Sequence, residues 1–397
     1  MMAYPFICIA GKNNIAVDVL QEAIRRYGKE SICVVCNKTE TGENSFQRSF
    51  RRFALQNEIE ERELEEVYDI DNLLFLSLEY DRIIKPHLFR NARLYNIHFS
   101  MLPKYKGMYT SAHPILNGEK YTGVTLHKID AGIDTGDIID QEQFLIEEDD
   151  DCKAVYLKYI EHGTGVVLKN LDNLISNKVM ARVQSFSESS YYAKGSLEYS
   201  NLKIDLNQTA IGIARQLRAF SFRDYQLPKV FGKSIIDYRI LGSKSLTKPG
   251  TEIIRNDNYV IISTIDFNMV LYFDRFSELM DACENGNINI VRDICAVHKH
   301  INEQDKNGWS PIIKATYYNR IPVFKYLVSV GADINVKNRN GINLLMYAKE
   351  AYKQSKDNTL FKLLLNMGLS VEVEDYNGRN LNYYLEKDRL SIKKLTK

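Results

Sequence analysis

Residues 1–150 alternate short apolar runs with amphipathic stretches, the pattern of a βαβ chain and a largely parallel sheet. PFICIAG predicts a strand, NIAVDVLQEAIRRY a helix, SICVVCN a second strand and SFQRSFRRFALQNE a second helix. LLFLSLEY and LYNIHFS predict further buried strands. Sheets of this kind collect ligands beyond the carboxyl ends of their strands, so AGKNN, SLEYD and FSMLPKYKG are expected on one rim. An acidic run, EEDDD, leads into CKAVYLKYIEHGTGVVLKNLDNLI, a predicted helix that closes a first domain over 1–180. From 181 to 275, β-like pieces such as YVIISTI and MVLYF accompany one helical run, LNQTAIGIARQLRAF, which predicts a small mixed α/β, mainly β, domain.

Residues 276–397 repeat. DKNGWSPIIKATYYNRIPVFKYLVSVGADIN, VKNRNGINLLMYAKE and DYNGRNLNYYL each open on an Asn-Gly turn. Gly308 and Gly341 are 33 residues apart and Gly341 and Gly378 37, the longer spacing marking an insertion near Gln354 to Asn358. With WSPIIKA in the TPLHxA slot and VGADIN closing the unit, the segment resembles ankyrin repeats, and LMDACENGNINIVRDICAVHKHIN resembles a degenerate first unit. The resemblance implies an all-α solenoid that offers a concave surface to a protein partner.

Length and composition narrow the setting more than the function. At 397 residues the chain exceeds one core. Lys+Arg is 52 against Asp+Glu 51, net +1, so no global field draws it to nucleic acid or an anionic membrane. The start reads as a core strand rather than a signal peptide, and no apolar segment approaches the roughly 20 residues of a membrane span. Six cysteines (8, 33, 36, 152, 283 and 295) lack the density of a disulfide scaffold, which makes a reducing cytoplasm the expectation. Cys33 and Cys36 form a CxxC without a second pair for a metal, so ICVVC reads as a buried strand and no metal is expected.

Candidate chemistry gathers in LYNIHFSMLPKYKGMYTSAHP. Asn96 and His98 are two apart and share one face of an otherwise apolar strand. Some 30 residues on, Asp130 and Asp134 lie in a Gly- and Thr-rich turn suited to holding a carboxylate across the rim. AGKNN has one glycine and no GxGxxG, which argues against a Rossmann cofactor site; Lys12 and Asn13 either meet a substrate anion or sugar or make an ordinary turn.

NIHFSMLPKYKG together with GVTLHKIDAGIDTGDII resembles the core of the N10-formyltetrahydrofolate-dependent formyltransferases, whose pattern is N-x-H, S-L-L-P-x-Y-R-G, then G-x-T-x-H and L/I-D-x-G. Met101 and Lys106 replace its Leu and Arg. The match runs from Leu73 to about Ile139 and is weaker before it. AGKNNIAV and IDLNQTAIGIARQLRAFSFRDYQLP are similar to the sugar-nucleotide N-formyltransferases of bacterial surface-polysaccharide (O-antigen) pathways, ahead of the methionyl-tRNA and glycinamide-ribotide branches.

This resemblance implies a Rossmann-like α/β catalytic domain that formylates an amine at C3 or C4 of a dTDP-linked amino-dideoxy sugar, such as dTDP-3-amino-3,6-dideoxyglucose. It also implies a homodimer, with neither nucleic acid nor membrane as partner. Asn96, His98 and Asp134 would be catalytic. Ser77, Leu78, Glu79, Tyr80 and Ile84, with Asp130 and Asp134 opposite, would hold the folate. Lys12, Asn13, Tyr105, Lys106, Gly107, Met108 and Tyr109 would hold the sugar nucleotide, with Arg218, Phe222 and Tyr225 either joining them or packing between domains. Ser100 is the rival nucleophile, without a G-x-S-x-G elbow. Trp309, the one tryptophan, is core, a partner anchor or a stacking platform for a second, regulatory nucleotide. The reading from another class is an ankyrin scaffold carrying an inactive folate-binding domain.

Overall fold

The computed structural model describes residues 4–185, 187–297 and 301–396, so the end of the degenerate repeat, 298–300, lies outside the described residues. The chain divides into two compact units, Met1–Val230 and Phe231–Lys397.

In the first unit the elements follow as β1 (Phe6–Gly11), α1 (Asn13–Tyr27), β2 (Ile32–Cys36), α2 (Phe50–Gln56), β3 (Glu60–Glu61), β4 (Leu73–Leu78) and β5 (Ala92–His98). There follow β6 (Lys106–Gly107), α3 (His113–Leu116), β7 (Tyr121–Lys128), β8 (Ile138–Leu145), α4 (Cys152–Ile175), β9 (Tyr191–Tyr192) and α5 (Ala210–Phe220). One sheet has the order β3-β2-β1-β4-β5-β7-β8. It is parallel from β3 to β5 and antiparallel where β7 meets β5 and β8, so the sheet is mixed.

The two faces of β5 go to two cores. Tyr95, Ile97 and Phe99 pack with Ile15, Val19 and Leu20 of α1 and Val155, Tyr159 and Val167 of α4. Leu94 packs on the other face with Cys8, Cys33, Phe75 and Ile84. Burying each large apolar side chain is worth about 1.5–3 kcal/mol, which fixes the register and leaves Asn96 and His98 on the Leu94 face. Cys33 sits opposite Cys8 in the sheet, and burial raises the Cys8 thiol pKa well above its ordinary value.

Two expectations shift. The helix predicted over 45–58 is only Phe50–Gln56, because Ser49 caps it by accepting from the Arg52 N–H and the Asn44 side chain accepts from the Ser49 N–H. Residues 181–230 join the first unit: Ala219, Phe220 and Phe222 enter the core of α1 and α4, with Leu197, Leu202 and Ile204 against it.

The second unit holds both a sheet and the repeats. Strands Lys233–Lys244, Phe267–Phe273, Tyr259–Ile262 and Glu252–Arg255 pair antiparallel in that order. Helix pairs then begin at Phe276, Pro311, Leu344 and Leu381. At each Asn-Gly turn a carboxylate or amide oxygen three residues before the glycine takes two backbone N–H groups, Asp305 from Asn307 and Trp309, Asn338 from Asn340 and Ile342, Asp375 from Asn377 and Arg379. The extra residues of the long spacing extend helix Leu344–Ser355 to 12 residues, against 7 in Pro311–Tyr317.

Candidate active site

β1 and β4 are neighbours at the point where the chain switches direction across the sheet, the place where sheets of this kind take ligands. The Lys12 N–H reaches the Leu78 carbonyl at 3.3 Å, and the Asn37 amide reaches the Glu79 carbonyl at 2.9 Å. The three predicted segments do share this rim.

On the Leu94 face, Ser77, Asn96 and His127 lie abreast on β4, β5 and β7, and His98 lies opposite Thr125. His98 is 8% exposed. Its Nε2 is 2.8 Å from the Tyr105 carbonyl, and a carbonyl only accepts, so Nε2 carries the proton. That leaves Nδ1, 3.5 Å from Asp134 Oδ2, as the atom free to take a proton. The tautomer of His98 is therefore set by a backbone carbonyl, and the carboxylate stands on the reactive side of the ring.

His127 completes the cluster. Its Nδ1–H donates to the Lys128 carbonyl at 2.7 Å, and Nε2 accepts from Asn96 Nδ2 at 3.1 Å and lies 3.7 Å from Asp134 Oδ1. Burial pushes its pKa down to about 4, against the pull of the Asp134 carboxylate, so the ring is neutral at pH 7. An amide carries two N–H bonds, and Asn96 gives one to His127. The second is open to a ligand oxygen.

Asp134 is held by its own loop. Its backbone adopts φ 55°, Oδ2 accepts from the Gly107 N–H at 2.9 Å, and its carbonyl accepts from Gln184 at 3.0 Å. Asp130 instead closes its own turn, accepting from the Gly132 N–H at 3.1 Å and the Thr135 hydroxyl at 2.7 Å. Of the two aspartates, Asp134 reaches both imidazoles. Ser100 is fully buried and donates to the Lys104 carbonyl at 2.7 Å, which makes it part of the loop's frame.

Among the expected folate residues, Leu78 and Ile84 are buried, and Tyr80 and Ile129 pack beside Ile84. Glu79 adopts φ 61° and turns toward α1 and α4, where it accepts from Asn13 at 3.1 Å and from the Tyr156 hydroxyl at 2.8 Å. Burial raises its pKa despite Lys12 nearby. Glu79 thus belongs with Lys12 and Asn13 rather than with Ser77.

The expected sugar-nucleotide residues divide. Tyr105, Lys106, Gly107, Met108 and Tyr109 form one loop beside His98; Lys106 is buried and Met108 exposed. Arg218 donates to the carbonyls of Glu147 and Asp150 at 3.2 and 3.0 Å, and Phe222 is buried against Phe46, Tyr156 and Tyr225. Only Tyr225 of these three shows a large exposed face. In the second unit, Trp309 is half-buried, met edge-on by Tyr317 and Tyr347, with Lys314 Nζ 5.5 Å above its ring.

Sequence reasoning gave no role to His127, Tyr156 or Tyr192. His127 stands in the G-x-T-x-H motif, but only the antiparallel register shows that it faces Asn96. Among the described residues no group of His, Cys, Asp and Glu could hold a metal, and no helix is long and apolar enough to cross a membrane.

Comparison with known proteins agrees with the geometry. The formyl transferase family matches residues 6–171 and ankyrin repeats, in three copies, match 279–384. The crystal structure of WlaRD, a sugar 3N-formyl transferase in the presence of dTDP and 5-N-formyl-THF, is 42% identical; the match covers 68% of this chain and 98% of that one at a TM-score of 0.64. An N-formyltransferase from Helicobacter canadensis, in complex with folinic acid and dTDP-3-aminofucose, is 38% identical over 68% of this chain and 100% of that one, TM-score 0.63. Among curated relatives, the methionyl-tRNA formyltransferase of Fervidobacterium nodosum is 32% identical over 47% of this chain, which spans 61% of that protein. The bifunctional polymyxin resistance protein ArnA of Wigglesworthia glossinidia is 33% identical over 48% of the chain, which spans 29% of it. The cluster of Asn96, His98 and Asp134 at the strand ends and near-complete coverage of two N-formyltransferases lead to one assignment: the chain belongs to the formyltransferase family and carries ankyrin repeats.

Proposed function

We propose that the chain transfers the formyl group of N10-formyltetrahydrofolate to the 3-amine of a dTDP-linked amino-dideoxy sugar, a building block of bacterial surface polysaccharide such as O-antigen. The observation that carries the reading is Asn96, His98 and Asp134 gathered at one strand end in a chain 42% identical to a sugar 3N-formyl transferase. The choice of C3 over C4 rests on that enzyme and on the 38% identical one crystallised with dTDP-3-aminofucose.

The chemistry is acyl transfer to an amine. As the amine attacks the formyl carbon, the C–N bond forms and the carbonyl oxygen becomes an oxyanion. The free N–H of Asn96 donates to that oxygen, a contribution of about 3–4 kcal/mol to the barrier. His98 Nδ1 takes the proton released by the amine and returns it to N10 of the folate as the C–N10 bond breaks. Asp134 stabilises the imidazolium in between. A direct attack needs no covalent enzyme intermediate, consistent with a Ser100 hydroxyl engaged in its own loop.

The strand end at Leu78–Tyr80, with Leu78 buried and half-buried Tyr80 and Ile129 packed beside buried Ile84, suits a pterin ring. Lys12, Asn13 and the Tyr105–Tyr109 loop suit the sugar nucleotide. The family resemblance implies a homodimer, the scattered cysteines fit a reducing cytoplasm, and the repeats suit a protein partner.

The test is release of tetrahydrofolate with a panel of dTDP-3-amino and dTDP-4-amino sugars and with initiator methionyl-tRNA. Turnover is expected with the 3-amino sugars. Turnover with tRNA alone overturns the substrate class, and folate binding without turnover on any amine favours the scaffold reading.

A further inference from the structure

Two backbone groups set up the proposed chemistry, the Tyr105 carbonyl on His98 and the Gly107 N–H on Asp134. Both belong to the loop 103–109, in which Tyr105, Gly107 and Tyr109 have φ of 58°, 87° and 59°. Two of these three, Tyr105 and Tyr109, carry L side chains that resist that region by about 1–2 kcal/mol each, so the stretch needs outside support.

The support comes from residues 190–196. Ser190 Oγ accepts from the Tyr105 N–H at 2.8 Å, and the Ser190 carbonyl accepts from the Lys106 N–H at 2.9 Å. The Tyr192 carbonyl accepts from the Met108 N–H at 2.9 Å, and the Tyr109 hydroxyl donates to the Lys194 carbonyl at 2.9 Å. β6 and β9 pair in parallel, and a Cβ on Gly107 would stand 2.3 Å from the Tyr192 carbonyl oxygen, so the two backbones touch. The Tyr192 ring anchors the segment. It stacks with Tyr105 at 5.5 Å and 7° and with His113 at 3.8 Å and 25°, and its hydroxyl accepts from Asn117 at 3.0 Å.

We infer that Ser190–Ser196 is a positioning strap for the reaction: anchored by Tyr192, it pins the 103–109 loop so that the Tyr105 carbonyl holds His98 in its Nε2–H form and the Gly107 N–H holds Asp134. The polar partners of His98 are the Tyr105 carbonyl and Asp134, neither of them in the strap. The strap's effect passes through the loop, and the inference rests on the formyl-transfer reading above for its kinetic consequence only.

The direct readout is the imidazole 15N spectrum of the full chain with labelled histidine, His98 being assigned by its loss in His98→Gln. The wild type is expected in the Nε2–H form. In Tyr192→Ala the two tautomers mix and kcat falls about a hundredfold, the scale of a small misplacement at a reacting centre, with folate affinity unchanged. Tyr192→Phe, which keeps the ring, restores both. Ser190→Ala removes one acceptor and falls between, and carries the test alone if Tyr192→Ala does not fold. A folded Tyr192→Ala, or Ser190→Ala in its place, with wild-type tautomer and kcat overturns the strap. A tautomer shift in a protein that transfers no formyl group upholds the strap and defeats the functional reading instead.

Discussion

Each unit buries a cluster of charged and polar side chains, and the two are built in opposite ways. In the repeats, Lys349 is 2% exposed and is met directly by Asp388 and Glu350, while Lys353 closes on Asp388 at 2.7 Å. Every charge there has a partner in contact. In the first unit, Asp134 stands 3.5 Å from His98 and 3.7 Å from His127, and Asn96 keeps a hydrogen in reserve. A closed cluster specifies a packed arrangement, whereas an open one holds groups ready for a third partner. The difference locates chemistry more sharply than burial or charge alone.

Substitution should separate the two clusters by what is lost. His98→Asn and Asp134→Asn are expected to lower kcat by about 10²–10⁴-fold, measured as tetrahydrofolate release, while thermal melting stays near wild type. Asn96→Ala should lower kcat by about 10²–10³-fold and change KM little, since the lost donor acts on charge present only in the transition state. Lys349→Met inverts the pattern. It leaves Asp388 and Glu350, both partly exposed, with Lys353 alone, and denaturant unfolding of the full chain should show a loss of about 1 kcal/mol, below that of a fully buried pair. Turnover per folded molecule should be unchanged. If Lys349→Met removes activity, or His98→Asn removes stability, the contrast between open and closed clusters is wrong.

The smallest effect is in pH dependence. His127 has its folded pKa pushed down to about 4, below its ordinary 6.5. Between those values the unfolded chain binds the extra proton, so stability rises with pH across that window and is lost as pH falls from 6.5 toward 4. His127→Gln, which keeps an acceptor for Asn96, should flatten that part of the stability curve. Glu79 works in the opposite sense: its pKa is raised, so its contribution is present below the ordinary carboxylate range and lost as pH climbs above it. Glu79→Gln should therefore remove a loss at higher pH, and the two variants together distinguish the sites.

The sequence carried this fold unevenly, for physical reasons. Period-two alternation in LYNIHFS was enough to place Asn96 and His98 on one face, because a one-residue slip would have buried them in the α1 core instead. Asp134 was legible through its motif; its reach to His98 depends on a left-handed backbone that spacing does not disclose. His127 needed the strand register, and Ser190 and Tyr192 needed a long-range pairing between two-residue strands, too short for any periodicity. The Asn-Gly turns made the repeats legible for the opposite reason, since each turn is built by neighbours within four residues. The boundary placed at 180 moved to 230 because Phe220 and Phe222 look the same in sequence whichever core receives them.

The most direct test compares wild type, His98→Asn and Asp134→Asn with N10-formyltetrahydrofolate and a dTDP-3-amino-3,6-dideoxy sugar, following the sugar nucleotide by mass spectrometry and folate affinity by calorimetry. The account predicts that His98→Asn binds folate like the wild type and that only the wild type converts the sugar nucleotide at an appreciable rate to a product heavier by one formyl group. Formyl transfer by His98→Asn at a near wild-type rate would contradict it.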